Sequence, residues 1–287
     1  MTANSGSFFA RSLFALFFMF TALSAHAADL RPETLKAWHA TVEAAEQRIE
    51  KELSSQKGFL ALDFQDPLRA AREREAVLSG DIPVQKVSTN KDGEDIRIPD
   101  GLIHHWRGSI FIPGVPLNFV LSRVRNPASD DTRQEDVLAS RILESAPGQI
   151  KLYLKLQRSK IVTAVYNTEH LVRYQASGPG RAFSSSIATK IAEVERLSES
   201  GEREKPEGHD RGFLWKMNSY WRYQQVPGGV IVECESMTLS RSIPSFLALA
   251  ARPIINSVAR ESMQRTLQSL RTRLVQAYKA NRNSAES

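Results

Sequence analysis

The chain has 287 residues, of which 41% are hydrophobic and 24% are charged. These proportions exclude an intrinsically disordered protein and a bundle of membrane-spanning helices. The net charge of +6 is a mild excess, and basic residues are mixed with acidic ones along most of the chain, which argues against nucleic acid as a partner. The single cysteine, Cys234, excludes an internal disulfide.

The N-terminus has the features of an export signal. Arg11 precedes an apolar run over residues 13–23, and Ala25 and Ala27 frame a small-residue cleavage site. The apolar run is shorter than the roughly 20 residues that a membrane-spanning helix needs. We therefore predict a cleaved signal peptide over residues 1–27, secretion across the inner membrane and a periplasmic location.

Residues 28–95 are predicted to form an N-terminal helical segment followed by a linker. Apolar residues recur three or four positions apart over residues 32–53, and a weaker helical pattern covers residues 66–77. Polar residues with several glycines and prolines then mark a boundary. The first helix carries Trp38, and one interpretation is that this helix docks an envelope partner instead of the domain that follows.

The main domain is predicted over residues 96–281, because apolar residues there recur with a period of two between turn signals. This pattern is typical of antiparallel strands with one buried face. A short helix follows the first strand, an insert over residues 198–211 is predicted to be an exposed loop, and a long amphipathic helix ends near Ala280. Residues 282–287 are predicted to be a disordered tail. The predicted strands cover residues 102–112, 137–143, 150–157, 163–174, 182–194, 213–223 and 230–239.

Several short runs carry a resemblance to known proteins: residues 105–108 (HWRG), 189–194 (TKIAEV), 212–215 (GFLW), 220–223 (YWRY) and 229–235 (GVIVECE). Together with the order of elements, they resemble a bacterial family of exported proteins in the START-like superfamily, also called the SRPBCC, polyketide cyclase or Bet v 1-like class. The resemblance implies an α+β helix-grip fold, in which a curved antiparallel sheet surrounds a long C-terminal helix, here with an N-terminal helical extension. It also implies a cavity for a hydrophobic or amphipathic small molecule.

Candidate ligand-binding residues follow from strand faces that mix apolar surface with hydrogen-bonding groups. One face of the strand over residues 213–223 is rich in aromatic side chains, and a second strand presents two tyrosines and a histidine on one face. A packed core needs the same residues, so both interpretations stand. The predicted lining residues are His104, Trp106, Tyr166, His170, Tyr174, Trp215, Met217, Trp221, Tyr223, Glu233 and Glu235.

The two glutamates stand out because they share a face with apolar residues in a strand that looks half buried. Buried carboxylates need partners, and Arg222 and Arg241 are candidates. Glu233 and Glu235 can therefore form structural ion pairs, anchor a polar headgroup or take part in acid–base catalysis.

Other chemistry finds little support in the sequence. The chain has no H-E-x-x-H or C-x-x-C spacing and no G-x-S-x-G motif, so we predict no metal, no cofactor and no nucleophilic catalysis. Strand alternation lets only one of His104 and His105 point into the domain. Basic residues near the C-terminus favour either the polar face of a helix or transient contact with a membrane surface: Arg265, Arg271 and Arg273.

These observations favour an exported protein that binds or carries a hydrophobic or lipid-like small molecule between the sheet and the C-terminal helix. A cyclase or aromatase type of enzyme that uses the same cavity, and an envelope interaction module, are the alternatives.

Overall fold

The computed structural model describes residues 30–88, 90–91, 94–96, 98–126, 136–159, 163–197, 201–242 and 245–286. The predicted signal peptide lies outside these described residues. Within them, no helix combines the length and the apolar character that crossing a bilayer requires.

The helices begin and end close to where the sequence predicts. Proline in the first turn of α1 and α2 is tolerated because the first amides of a helix need no intrahelical partner, and the Asp66 side chain caps α2 by accepting the N–H groups of Leu68 and Arg69. The last helix continues to Glu286, into the segment 282–287 that the sequence predicts to be a disordered tail. The helices are α1 (Pro32–Leu53), α2 (Pro67–Leu78), α3 (Leu117–Val124) and α4 (Ser245–Glu286), with a 3-10 helix at Ala61–Phe64.

The strands are β1 (Val84–Lys86), β2 (Asn90–Lys91), β3 (Glu94–Asp95), β4 (Gly101–Pro113), β5 (Val137–Ala146), β6 (Gln149–Ser159), β7 (Thr163–Ala176), β8 (Arg181–Leu197), β9 (Gly201–Glu204), β10 (Lys216–Val226) and β11 (Gly229–Arg241). The main sheet has the order β1-β4-β11-β10-β8-β7-β6-β5, and β9 pairs with β8. Each of these strand pairs is antiparallel. The predicted exposed loop over residues 198–211 is wrong in part, because β9 lies within it.

Helix α4 packs against one face of the sheet, which we call the α4 face. Its buried residues Met263, Leu267, Leu270 and Leu274 share a core cluster with residues of β4, β8, β10 and β11. The closest approach is at Gly108, where an added Cβ would lie 2.7 Å from Leu267 Cδ1 and 3.0 Å from Met263 Cγ. A side chain at this position would push α4 away from β4.

The opposite face, which we call the α1 face, is covered by the N-terminal segment. Trp38 of α1 is 3% exposed and clusters with Tyr220, Met237 and Leu239. A second cluster joins Phe59, Leu60, Leu62 and Val77 of the N-terminal segment to Ile231 of β11. The interpretation that the Trp38 helix docks a separate partner instead of the domain is therefore wrong. The main sheet lies between helical layers on both of its faces.

The arginines of α4 that the sequence singles out have partners within the protein. Arg271 donates a hydrogen bond to the carbonyl oxygen of Gly80 at 2.7 Å, and Arg273 donates to Ser269 Oγ at 3.1 Å. Arg265 lies 3.6 Å from the carboxylate of Asp136. Membrane-surface contact through these residues stays a prediction.

Candidate functional site

The strand register places the candidate residues on definite faces, because directly opposed residues of neighbouring strands point to the same side of a sheet. Trp106 is opposite Ser236, which is opposite Ser219, which in turn is opposite Ser186. Two residues after Ser219, Trp221 is opposite Cys234, which belongs to the core cluster around α4. All of these side chains therefore lie on the α4 face.

The middle of the α4 face keeps a group of side chains partly exposed, between residues that the core buries fully. We call this group the central patch. It combines two indoles and a thioether with an imidazole and three hydroxyl groups. Its members are His104, Trp106, Ser186, Met217, Trp221, Ser236 and Thr238.

The two indoles of the central patch differ in their hydrogen bonding. Trp221 Nε1 donates to Ser219 Oγ at 3.2 Å. Trp106 Nε1 is buried and has no hydrogen-bond partner among the residues that the structure describes. Buried indole N–H groups usually find an acceptor, so the N–H of Trp106 departs from the usual pattern.

The predicted histidines both lie on this face and are held neutral. Burial, with a smaller effect of the Lys86 charge, lowers the pKa of His104 to about 4, and its Nε2 lies 3.2 Å from Ser240 Oγ. Burial also lowers the pKa of His170 to about 4. Both imidazoles therefore act as neutral hydrogen-bonding groups at physiological pH and are weak bases.

The hydrogen bonds of His170 fix its tautomer. Thr168 donates its hydroxyl proton to the carbonyl oxygen of Leu154 at 3.0 Å, so Thr168 Oγ1 accepts from His170 Nε2, 2.9 Å away. His170 Nδ1 then carries a lone pair and faces the Ser186 hydroxyl at 3.4 Å. This chain of contacts orients the hydroxyl of a central-patch residue.

The predicted tyrosines border the central patch. Tyr174 donates to the carbonyl oxygen of Val124 at 2.8 Å, and burial raises the pKa of its hydroxyl to about 12. Tyr223 is buried, with its hydroxyl 3.4 Å from Ser184 Oγ. Tyr166 is 2% exposed in a cluster with Leu156 and Ala164. All three add apolar area to the α4 face, and two of them also fix neighbouring polar groups.

Glu233 and Glu235 lie on the other face, so their predicted place beside the sheet–α4 cavity is wrong. Glu233 accepts the backbone N–H groups of Ala61 at 2.7 Å and Leu62 at 3.2 Å. Glu235 lies 2.6 Å from His105 Nε2 and pairs with Arg48 of α1. Both carboxylates are buried beneath the N-terminal segment.

These contacts belong to a wider set that we call the α1-face ion-pair network: Arg48, Glu52, Glu73, His105, Arg107, Arg222, Glu233 and Glu235. Arg222 pairs with Glu52 of α1, and Arg107 donates to Glu73 of α2 at 2.9 Å. Burial raises the pKa of Glu233, although Arg107 and Arg222 oppose this. For Glu235, the His105 hydrogen bond and the Arg48 charge overcome burial and lower the pKa to about 2. The network is structural, since it joins the N-terminal segment to the sheet.

The two arginines predicted as partners of these glutamates have different roles. Arg222 Nε lies 3.9 Å from Glu233 Oε1, in the predicted pairing. The Arg241 guanidinium lies instead over the ring of Phe213, 5.3 Å from its centroid. The alternation in β11 correctly placed Arg241 on the face of Glu233 and Glu235, but it did not identify Phe213 as its neighbour.

Trp215 is also on the α1 face, which overturns its predicted place beside Trp221. Strand β10 begins at Lys216, so the period of two does not extend to Trp215. Its indole N–H donates to Asp210 Oδ1 at 3.1 Å, and its ring clusters with Trp38. The sequence pattern treated residues 213–223 as one strand and therefore assigned Trp215 to the wrong face.

The serine and threonine residues of the α4 face were not among the predicted lining residues. Ser219 lies two residues from Trp221, and Ser236 lies two residues from Cys234, so the same period of two could have placed both serines on this face.

Within the described ranges, no group of three or more His, Cys, Asp or Glu side chains could hold a metal ion.

Comparison with known proteins gave structural similarity alone. No family model matches the chain, and no curated protein matches it. Solved structures of similar shape include a fragment of a STAR-related lipid transfer protein from Xanthomonas axonopodis, with 20% identity over 67% of this chain and 93% of that one and a TM-score of 0.47. Human STARD10 has 8% identity over 76% and 83% and a TM-score of 0.43. The Zhui aromatase/cyclase from a Streptomyces species has 12% identity over 60% and 94% and a TM-score of 0.38.

The fold assignment itself stands on the element order and the register. In the main domain β4 and β11, the first and last strands, lie side by side, and the chain closes with the long helix α4 against β4. This arrangement is a helix-grip fold, as predicted from the sequence.

Proposed function

We propose that the protein binds a hydrophobic or amphipathic small molecule on the α4 face, over the central patch. The observation that carries the proposal is the partial exposure of Trp106, Met217 and Trp221 in the middle of a face whose flanks are fully buried. Partly exposed aromatic and thioether side chains beside a helix are typical of small-molecule sites.

The flanks of the patch support the same function. Towards β6 and β7 the α4 face is lined by apolar residues such as Ile150, Leu152 and Val172. Towards β4 it is lined by the cluster around α4. Hydroxyl and imidazole groups occupy the middle, so the face offers apolar contact on two sides and hydrogen bonds between them. A ligand with a long apolar part and a small polar part would match this distribution.

Uptake of an apolar probe tests the proposal. The mature chain, purified without detergent, is titrated with 1-N-phenylnaphthylamine, and native mass spectrometry records any copurified molecule. We expect saturable fluorescence enhancement with one probe per chain. Ser186→Phe places a ring in the central patch and should abolish most of this uptake, because the added volume occupies the binding surface.

Ser284→Phe is the matched control, since Ser284 is exposed near the end of α4, and it should leave uptake unchanged. Equal uptake by both variants, or no saturable uptake by the wild type together with a ligand-free mass spectrum, would reject the proposed function.

We also propose that the protein acts outside the cytoplasm. The signal-peptide features of residues 1–27 support this location. Expression of the full chain in a Gram-negative host, followed by fractionation and intact-mass measurement, should give a periplasmic species that begins at Ala28. A full-length species in the cytoplasm would contradict the proposed location.

A further inference from the structure

The central patch contains a hydrogen-bond donor that has no acceptor among the described residues. Trp106 Nε1 is buried without a partner in the described part of the chain, whereas the neighbouring indole of Trp221 donates to Ser219. A buried N–H donor without an acceptor destabilises the protein, because the donor has lost its hydrogen bonds to water and gained none in return. A bound molecule that supplied an acceptor would remove this cost.

The neighbours of Trp106 are suited to the same part of a ligand. Ser236 is directly opposite Trp106 across the β4–β11 pair, and Thr238 lies two residues further along β11 on the same face. Both are partly exposed. A single oxygen placed at this point has an N–H donor on one strand and hydroxyl groups on the next.

The electrostatic character of the patch favours a ligand whose oxygen group is uncharged over one whose oxygen group is charged. Its side chains are indoles, hydroxyls, a thioether and an imidazole, and Lys86 of β1, the charged residue directly opposite Trp106 in the strand register, is exposed to solvent. Burial alone disfavours the charged form of the adjacent His170. The same low-polarity surroundings would disfavour a carboxylate or phosphate, because an ion pair with the exposed Lys86 ammonium would be weak.

We propose that the ligand is an apolar molecule with an uncharged oxygen function, such as an alcohol, ketone or ester, and that this oxygen accepts a hydrogen bond from Trp106 Nε1. The inference rests on the proposed function, because it concerns the ligand of the same face. Ser236 provides the second hydrogen bond.

Matched probes test it. Dodecan-1-ol, dodecane and dodecanoate are compared by their displacement of 1-N-phenylnaphthylamine from the mature protein at pH 7.5. We expect dodecan-1-ol to bind most tightly. Trp106→Phe keeps a ring but removes the N–H, so it should weaken dodecan-1-ol roughly fivefold to twentyfold while changing dodecane less than about twofold.

Trp221→Phe is the matched control, because its N–H is already paired within the protein. It should weaken the alcohol and the alkane equally. Ser236→Ala removes a hydroxyl without a change in the core and provides a second measurement should Trp106→Phe fail to fold. A loss that is selective for the alcohol supports the inference in either variant.

The outcomes separate this inference from the proposed function. If dodecanoate binds most tightly, or if the variants weaken alcohol and alkane alike, the assignment of Trp106 as oxygen donor is overturned while binding on the α4 face stands. If neither the naphthylamine probe nor any dodecyl compound binds, both are overturned.

Discussion

Glu233 Oε1 accepts the backbone N–H of Ala61 at 2.7 Å, across 172 positions of sequence. Its second oxygen lies 3.2 Å from the N–H of Leu62. A carboxylate of the last strand therefore caps the N-terminal end of the 3-10 helix of the N-terminal segment, and burial of both groups makes this contact part of the core. The N-terminal segment is consequently an integral layer of the domain.

Replacement of Glu233 should be costly for this reason. Glu233→Ala leaves two buried N–H groups without an acceptor and removes the carboxylate that faces Arg107 and Arg222, so we expect a loss of about 3–5 kcal/mol in the free energy of unfolding. Urea denaturation followed by circular dichroism measures it. Glu195→Ala, which breaks a pair with the 64% exposed Arg203, is the control and should cost at most about 1 kcal/mol. Similar losses in the two variants would show that the α1-face ion-pair network is dispensable.

The contact between α4 and β4 can be tested at its closest point. Gly108→Ala adds a methyl group 2.7 Å from Leu267 Cδ1, which should cost about 1–3 kcal/mol of unfolding free energy. Leu267→Ala leaves a cavity and should cost about 2–5 kcal/mol. Because the truncation removes the closest of the contacts with the added methyl group, the double variant should lose less than the sum, with a coupling of at least about 0.5 kcal/mol. Strict additivity would mean that α4 does not press on Gly108.

Acid should destabilise the protein partly through His170. Its folded-state pKa is about 4, against about 6.5 in an unfolded chain, so between these values the unfolded state binds more protons and stability falls as the pH falls. From pH 7.5 to pH 5 this histidine accounts for a loss of about 2 kcal/mol. His170→Gln should remove that share from the pH dependence of urea unfolding, whereas His209→Gln, at an exposed position, should not. An unchanged slope for His170→Gln would contradict burial of a neutral imidazole.

Most of the elements could be predicted from sequence because they depend on local signals, although the start of β10, strand β9 and the end of α4 were not. The period of 3.6 in α1 and the period of two in β6 and β7 persist in the structure. The faces of the sheet could also be predicted from alternation, which correctly grouped Glu233 with Glu235 and His170 with Tyr174.

What covers each face could not be predicted, because it is a tertiary property. Helices α1 and α4 are both amphipathic, and either could lie on either face of the sheet. One signal was present in β11, where Val230, Ile231 and Val232 form a continuous apolar run that indicates burial on both faces. That run indicates that the face of Glu233 and Glu235 is covered, but it does not identify the covering element.

The division of the four tryptophans between the two faces gives a direct test of where a ligand lies. Trp106 and Trp221 belong to the central patch, whereas Trp38 and Trp215 cluster on the α1 face. A brominated ligand quenches only the indoles that it contacts, so 12-bromododecan-1-ol should quench part of the wild-type fluorescence. Trp221→Phe should reduce the quenched intensity, and Trp215→Phe should leave the quenched intensity unchanged while lowering the unquenched remainder. The reverse pattern would place the ligand on the α1 face, beneath the N-terminal segment.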